Sequence, residues 1–512
     1  MEECRTPNWL IRQEEGGILL CMGRPKRASA AGHCVHMLSY NNGVSETRAY
    51  NNDNTLASIS FSGASIGNLS YGWDANKNKT SEGITGTMSG YGFDVGTSGY
   101  DVEDRLVSWE RDDSNLDQSW NLSLVGDWSS YTENASVQSR THGDTHELLT
   151  VAGQAVTHDA KGNQTVIPAI LRPGSDPLAM KWDLENKLIS ADTDNDSVAD
   201  VTYQWDALGR RVGRDDGTTV TVFVQSGQQA IADYTSGTAA SSPTYDYIYA
   251  SYIDEPVMRS GSSGNRYYHR NQQYSIIALT NGSGAIQERY AYDAYGGLTI
   301  LNASLSPLTT SAEGNRYTYT GREFDEALDL YHYRARMYDS ATGRFCSRDP
   351  IGYEGSPWNL HEYVGSSPLS YMDSGGTIRS QPGRRGRPRP TPGNPSGRNP
   401  NASCLAKGNK WACRACCAST KSGSNRRGCE NSCNANFVCP AGKTLKPVYV
   451  GEFNGDLDAC ASSKWRLIRD GCCAGAGAVL GLPLAPPYGS IVCGTGGGMA
   501  IPITLCLAEK CY

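Results

Sequence analysis

The sequence predicts a mainly β protein built of stacked antiparallel hairpins, and three observations carry this. Tyrosine outnumbers phenylalanine 29 to 7 and there are 57 glycines among 512 residues, which suits turn-rich strands better than a helical core. A short unit recurs: an aromatic residue or histidine before aspartate, then small or polar residues, then an apolar return. Its copies are YGWDANKNKT (71–80), YGFDVG (91–96), VTHDAKGNQT (156–165), MKWDLENKLIS (180–190), YQWDALGRRVG (203–213) and YAYDAYGGL (290–298). The aspartates are Asp74, Asp94, Asp159, Asp183, Asp206 and Asp293, spaced by 20, 65, 24, 23 and 87 residues. The long gaps are close to three and four units of about 22, as if eroded copies fill them, and such a period marks stacked supersecondary units. Finally, strand-like alternation and turn chemistry fill residues 314–376.

In chain order, residues 1–37 match nothing around them. Glu2, Glu3, Glu14 and Glu15 and the short apolar run Gly16–Met22 do not make a secretory signal, so a truncated or mispredicted start is expected. Residues 38–313 read as continuous antiparallel structure, spiralling or closing on itself to limit exposed edges. Each unit is strand, turn, strand, and its aspartate suits the turn because the carboxylate can bond backbone N–H groups two residues on.

One loop departs from the repeat. In ADTDNDSVADVTY (191–203), Asp192, Asp194, Asp196 and Asp200 hold positions 1, 3, 5 and 9 of a calcium-loop pattern. Hard oxygens at alternate positions are what Ca²⁺ requires. Ser197 and Tyr203 stand where that pattern has Gly and Glu, so an acidic turn between strands is the competing reading.

The most informative stretch is Gly314–Gly376. Tyr331, Tyr333, Ala335 and Met337 alternate with His332, Arg334, Arg336 and Tyr338, which predicts one strand with both arginines on one face. Residues 339–343 are turn chemistry, and a second strand from Arg344 to Ser347 would bring the arginines beside Arg348 and Asp349. Asp349 opens DPIG, and Asp373 opens a related tetrapeptide, DSGG.

GNRYTYTGRE, DLYHYRARMYDSATGRFCSRDPIG and NLHEYVGSSPLSYMD resemble the Rhs repeat-associated core motif of the YD-repeat family nearly residue by residue. The resemblance covers about sixty contiguous residues, with weaker repeats upstream. It implies a YD-repeat antiparallel β-shell similar to those of Tc-toxin C subunits and teneurins, in which the core closes the shell and a variable C-terminal segment follows. In many members that segment is a toxin, which the shell encloses and cuts loose. Carried over, the family's aspartate pair and arginine are Asp349, Asp373 and Arg336, an intramolecular aspartic-type autoprotease cutting near Thr377-Ile378. Two carboxyls can divide such work, one as general base on water and one protonating the leaving amine. Ser374 departs from the family's usual proline. The alternative is that both aspartates only cap turns. The chain would then be a non-catalytic surface or secreted protein for adhesion or binding.

After Gly376 the composition changes. Residues 377–403 are a Pro/Gly/Arg-rich linker, with six Arg, six Pro and no acid over 379–400. Residues 404–512 form a small tail holding 13 of the 17 cysteines, a density that belongs to disulfide scaffolds or metal clusters. All eight histidines lie upstream, which excludes a His-dependent nuclease or Cys-His protease in the tail. PAGKT (440–444) has Phe437 where a phosphate loop needs its first Gly. Residues 471–508 carry no charge and read as the buried part of a disulfide-stapled domain or as two apolar arms of a hairpin.

The net charge of −7 hides an asymmetry: residues 1–376 carry 28 basic and 47 acidic groups, a net of −19, and residues 377–512 carry 18 and 6, a net of +12. Opposite charges favour association of the two parts. The expected partners are the chain's own tail as cargo, a secretion apparatus, an immunity protein or a second shell polypeptide. The tail's target would be a membrane or another macromolecule. Localisation is expected to be secreted or at the cell envelope.

Overall fold

The structure, a computed structural model, describes residues 9–13, 19–23, 35–250 and 252–382, and four strands of the tail, Leu445–Phe453, Leu480–Pro483, Ser490–Gly496 and Ile503–Cys511. The chain divides into two compact units, Met1–Arg387 and Pro388–Tyr512.

The first unit is almost wholly antiparallel β structure. Its described residues form a 14-stranded sheet, Trp9 to Ala155, and a 15-stranded sheet, Thr157 to Leu308, each with strands in sequence order. Short strands and tight turns explain this order, since each strand pairs with the one it has just left. The strands Trp9–Gln13 and Leu19–Gly23, in the stretch that matched no repeat, extend the first sheet, with Leu19 facing Ser39.

The repeat aspartates build the turns. The Oδ1 atoms of Asp159, Asp183, Asp206 and Asp293 each accept backbone N–H groups two and four residues on, at 2.6–3.0 Å. Asp74 does so at Asn78, 2.8 Å away. Asp94 ends a two-residue strand and bonds only the nearer N–H, that of Gly96. Within the long gaps the same turn recurs on other acceptors: the hydroxyl of Ser123 and the amide oxygens of Asn271 and Asn281, as well as Asp101. Any short side chain with an acceptor oxygen two or three bonds from Cα can close this turn.

Residues 323–345 form a separate four-stranded sheet: Glu323–Asp325, Leu330–Tyr333, Arg336–Asp339 and Arg344–Phe345. Every residue of these strands is buried, because the small sheet has a core on each face. Tyr331, Tyr333, Tyr338 and Phe345 join Trp109, Trp120 and Trp128 of the first sheet. Leu330, Met337 and Cys346 join Leu148, Ile167, Leu188 and Val201. Tyr338 and Tyr363 lie 4.2 Å apart, centroid to centroid, in an aromatic cluster whose pairs each contribute about 0.5–1.5 kcal/mol beyond burial.

One expectation is corrected here. Residues 331–338 are not a single strand: the chain reverses at Arg334-Ala335, and Tyr333 pairs with Arg336. Arg334 takes a left-handed φ of +55°. The two-residue turn sets Tyr333 opposite Arg336 on one face, so each later position changes face, and Tyr338 rather than Met337 joins Tyr331 and Tyr333 in one core. Consequently Arg334 and Arg336 point to different partners. The following turn does lie at Ala341, with Asp339 facing Arg344, but the return strand stops at Phe345.

The second unit's described strands form one antiparallel sheet in the order 445–453, 503–511, 490–496, 480–483. Cys493 and Cys506 occupy facing register positions. Residues 383–444, and with them the rest of the linker and seven tail cysteines, lie outside the described residues, as does Cys460. Among the described residues no helix is long and apolar enough to cross a membrane.

Candidate proteolytic site at the core carboxylates

Three turns converge on Arg336. The hairpin at 334–335 presents it. The DPIG turn presents Asp349, whose Oδ1 accepts the Ile351 N–H at 3.0 Å. The DSGG turn presents Asp373, whose Oδ1 accepts N–H groups from Gly375 and Ile378, both at 3.2 Å. Each carboxylate thus caps its own turn with one oxygen and offers the other to the arginine. Arg336 Nη2 lies 2.9 Å from Asp349 Oδ2 and 3.7 Å from Asp373 Oδ2.

The guanidinium is held on every side. Its Nε donates to the Gly376 carbonyl at 2.6 Å and its Nη1 to the Leu360 carbonyl at 3.0 Å. Its plane rests on the Phe345 ring, 3.6 Å from the centroid. Burial lowers its pKa to about 10, and the two carboxylates oppose that fall. Burial also raises both carboxyls above their ordinary range, while Arg336 pulls them back; Asp373 adds a further upward push on Asp349.

The DSGG loop is locked onto the hairpin. Gly376 has φ +67°, and a Cβ there would lie 2.3 Å from the Tyr333 carbonyl. The Ala335 N–H donates to the Gly375 carbonyl at 3.2 Å, and Arg334 donates to the Ser374 carbonyl. Beyond it, residues 376–378 bend, and Met372 and Ser380 exchange backbone hydrogen bonds of 2.9 and 2.6 Å that close the loop. The Thr377–Ile378 peptide lies near both carboxyls. Its amide nitrogen bonds Asp373, and its carbonyl oxygen shares a contact point with Asp349 Oδ2. A Cβ on Gly355 would lie 2.3 Å from that carbonyl oxygen and 2.4 Å from Asp349 Oδ2.

Sequence reasoning brought forward Asp349, Asp373 and Arg336, and the fold places all three together. It missed Gly355, whose lack of a side chain leaves room for the peptide. One glycine among many in turns carries no distinguishing signal. Of the candidate calcium ligands, carboxylate oxygens of Asp192, Asp194 and Asp200 lie within 4.8 Å of one another, and Asp196 is not in the group. Asp192 and Asp200 also cap N–H groups of the loop itself.

The chain is 28% identical over 259 residues to the tRNA3(Ser)-specific nuclease WapA of Bacillus spizizenii, spanning 50% of this chain and 10% of that one. It is 22% identical over 306 residues to the double-stranded DNA deaminase toxin A of Burkholderia cenocepacia, spanning 21% of that protein. Among solved structures it resembles the Photorhabdus luminescens Tc holotoxin pore, with a TM-score of 0.55 at 17% identity over 73% of this chain and 20% of that one. The likenesses support an Rhs-type, YD-shell family. A scan against protein-family models matches none. The antiparallel sheets thus match the β-shell fold of these neighbours, and the chain spans about a tenth of the length of the WapA relatives it matches.

Proposed function

We propose that this Rhs-type shell carries its basic C-terminal tail as cargo and frees it by cutting its own Thr377–Ile378 bond. The observation that supports this most is the seating of that bond: its nitrogen on Asp373, its carbonyl beside Asp349, and Arg336 between the two. Arg336 stands closer to Asp349 and favours its ionised form, so Asp349 is the base that takes a proton from water. Asp373 keeps a proton for the leaving nitrogen. Arg336 also fixes the Gly376 carbonyl, one residue before the bond, which keeps the peptide in register.

One relative is a toxin by name and others are nucleases by name, and a toxin-like tail is in keeping with them. A secretion apparatus, an immunity protein and a second shell polypeptide are proposed partners. Secretion or the cell envelope is the proposed location. The non-catalytic reading draws on the caps: each aspartate already has a structural task at its own turn. Mass spectrometry of the purified chain decides between them. Fragments ending at Thr377 and beginning at Ile378 support the self-cutting shell, and an intact 512-residue chain supports the binding protein.

A further inference from the structure

A cavity of about 350 Å³ borders the DSGG loop, away from the paired carboxylates, walled by Lys187, Arg211, His332, Arg334, Gly375 and Thr377. Three of its four cations have carboxylate partners: Arg210 Nη2 lies 2.7 Å from Asp206, Arg211 Nη2 lies 2.6 Å from Glu323, which also lines the cavity, and Arg334 Nη2 lies 2.5 Å from Asp254. Lys187 has none of that kind. Among the described residues its ammonium reaches the carbonyls of Arg334 and Ala335 at 3.5 and 3.3 Å and lies 5.2 Å from the Trp205 ring centroid. Burial lowers its pKa, with Asp183 and Glu185 opposing this only at longer range. His332, only 5% exposed, has both ring nitrogens without a hydrogen-bond partner. A buried polar wall with an uncompensated cation calls for an anion or water.

Hydrolysis would make an anion at this wall. The water oxygen bonds to the Thr377 carbonyl carbon, the bond from that carbon to the Ile378 nitrogen breaks, and both water protons end on the nitrogen. At neutral pH the products are a Thr377 carboxylate and an Ile378 ammonium. The new carboxylate begins beside Asp349, and two like charges there repel. We infer that the Lys187 cavity receives the Thr377 carboxylate and holds the shell's new C-terminus, a product site that rests on the self-cutting reading. Ile378 is 54% exposed, so the leaving end faces solvent while the retained end faces the cavity.

The test uses full-length parent, Lys187→Met and Lys187→Arg chains, each left to cut and then treated with a carboxypeptidase. Mass spectrometry follows removal of Thr377. Parent and Lys187→Arg should resist trimming, and Lys187→Met should be trimmed roughly tenfold faster, between the values of an exposed and a buried ion pair. Equal trimming of parent and Lys187→Met, or trimming of Lys187→Arg as fast as Lys187→Met, overturns the product site alone. A parent that keeps its full mass overturns the self-cutting reading and the product site with it.

Discussion

Replacing Asp373 by asparagine separates capping from catalysis. Asparagine has nearly the same volume and retains an Oδ1 that can accept the Gly375 and Ile378 N–H groups, now at 3.2 Å. It has no proton to give to the leaving nitrogen. Arg336 keeps its nearer partner, Asp349, at 2.9 Å. The fold should therefore survive while the rate falls by about 10²–10⁴-fold, the contribution of one positioned acid or base. A cut complete in minutes would then take hours to weeks. The sign of the stability effect also follows. Burial holds the Asp373 carboxyl above its ordinary range, so the folded state binds this proton more tightly than the unfolded state does. Stability from this group is present below the unfolded pKa and is lost as pH rises through the folded one. At pH 7 the neutral asparagine escapes that loss, and the variant should not melt below the parent. Time-resolved mass spectrometry with parallel melting curves measures both effects, and Asp349→Asn should behave alike in the cutting assay. If both variants still cut at Thr377–Ile378, the aspartates are turn caps and the shell is not a protease.

Arg336→Lys should slow the cut by about tenfold or more, because one ammonium cannot serve Gly376, Leu360 and Asp349 at once; a time course at parent rate would exclude the arginine. The two fragments should co-elute at low salt and separate more readily near 1 M, where charges of −19 and +12 are screened within about 3 Å; separate elution at low salt would show that neither charge nor enclosure holds them. Millimolar calcium should raise the melting temperature slightly through Asp192, Asp194 and Asp200, and coincident melts with chelator would leave only an acidic turn. Non-reducing peptide mapping should find several tail disulfides, because 13 cysteines crowd residues 404–511; a reduced, zinc-bound tail would point instead to all-cysteine clusters.

The repeat was legible because its turn is a local device. An aspartate that bonds N–H groups two and four residues on leaves its mark in a few consecutive letters, as at Asp159, Asp183 and Asp206. The copies between them were hidden because the turn needs an acceptor, not a particular residue, and Ser123, Asn271 and Asn281 supply it equally well. The hairpin at Arg334 was hidden for another reason. The reversal takes only Arg334 and Ala335, without the Asn-Gly or Asp-Gly letters that announce such a turn, and what holds Arg334 in place is Asp254, 80 residues away. Contacts at that separation leave no trace in local spacing.

The site shows the same division. Asp349 and Asp373 were visible as turn aspartates, and turn capping and catalysis looked like rival readings of them. In the folded chain the two readings are compatible, because each carboxylate has two oxygens. Oδ1 of each is fixed by backbone N–H groups of its own turn, which sets the side-chain rotamer. With that rotamer set, Oδ2 of each can only face inward, and Arg336 stands where the two directions meet. The caps are what preorganise the pair, in the way a catalytic group needs a neighbour to hold its orientation. Proline at position 374 would stiffen the second turn through its fixed φ. Here Arg334, donating to the Ser374 carbonyl, and Gly376, seated against the Tyr333 carbonyl, hold that turn from outside. The serine therefore removes one constraint from a loop that tertiary contacts already fix, and it does not by itself argue against the cut.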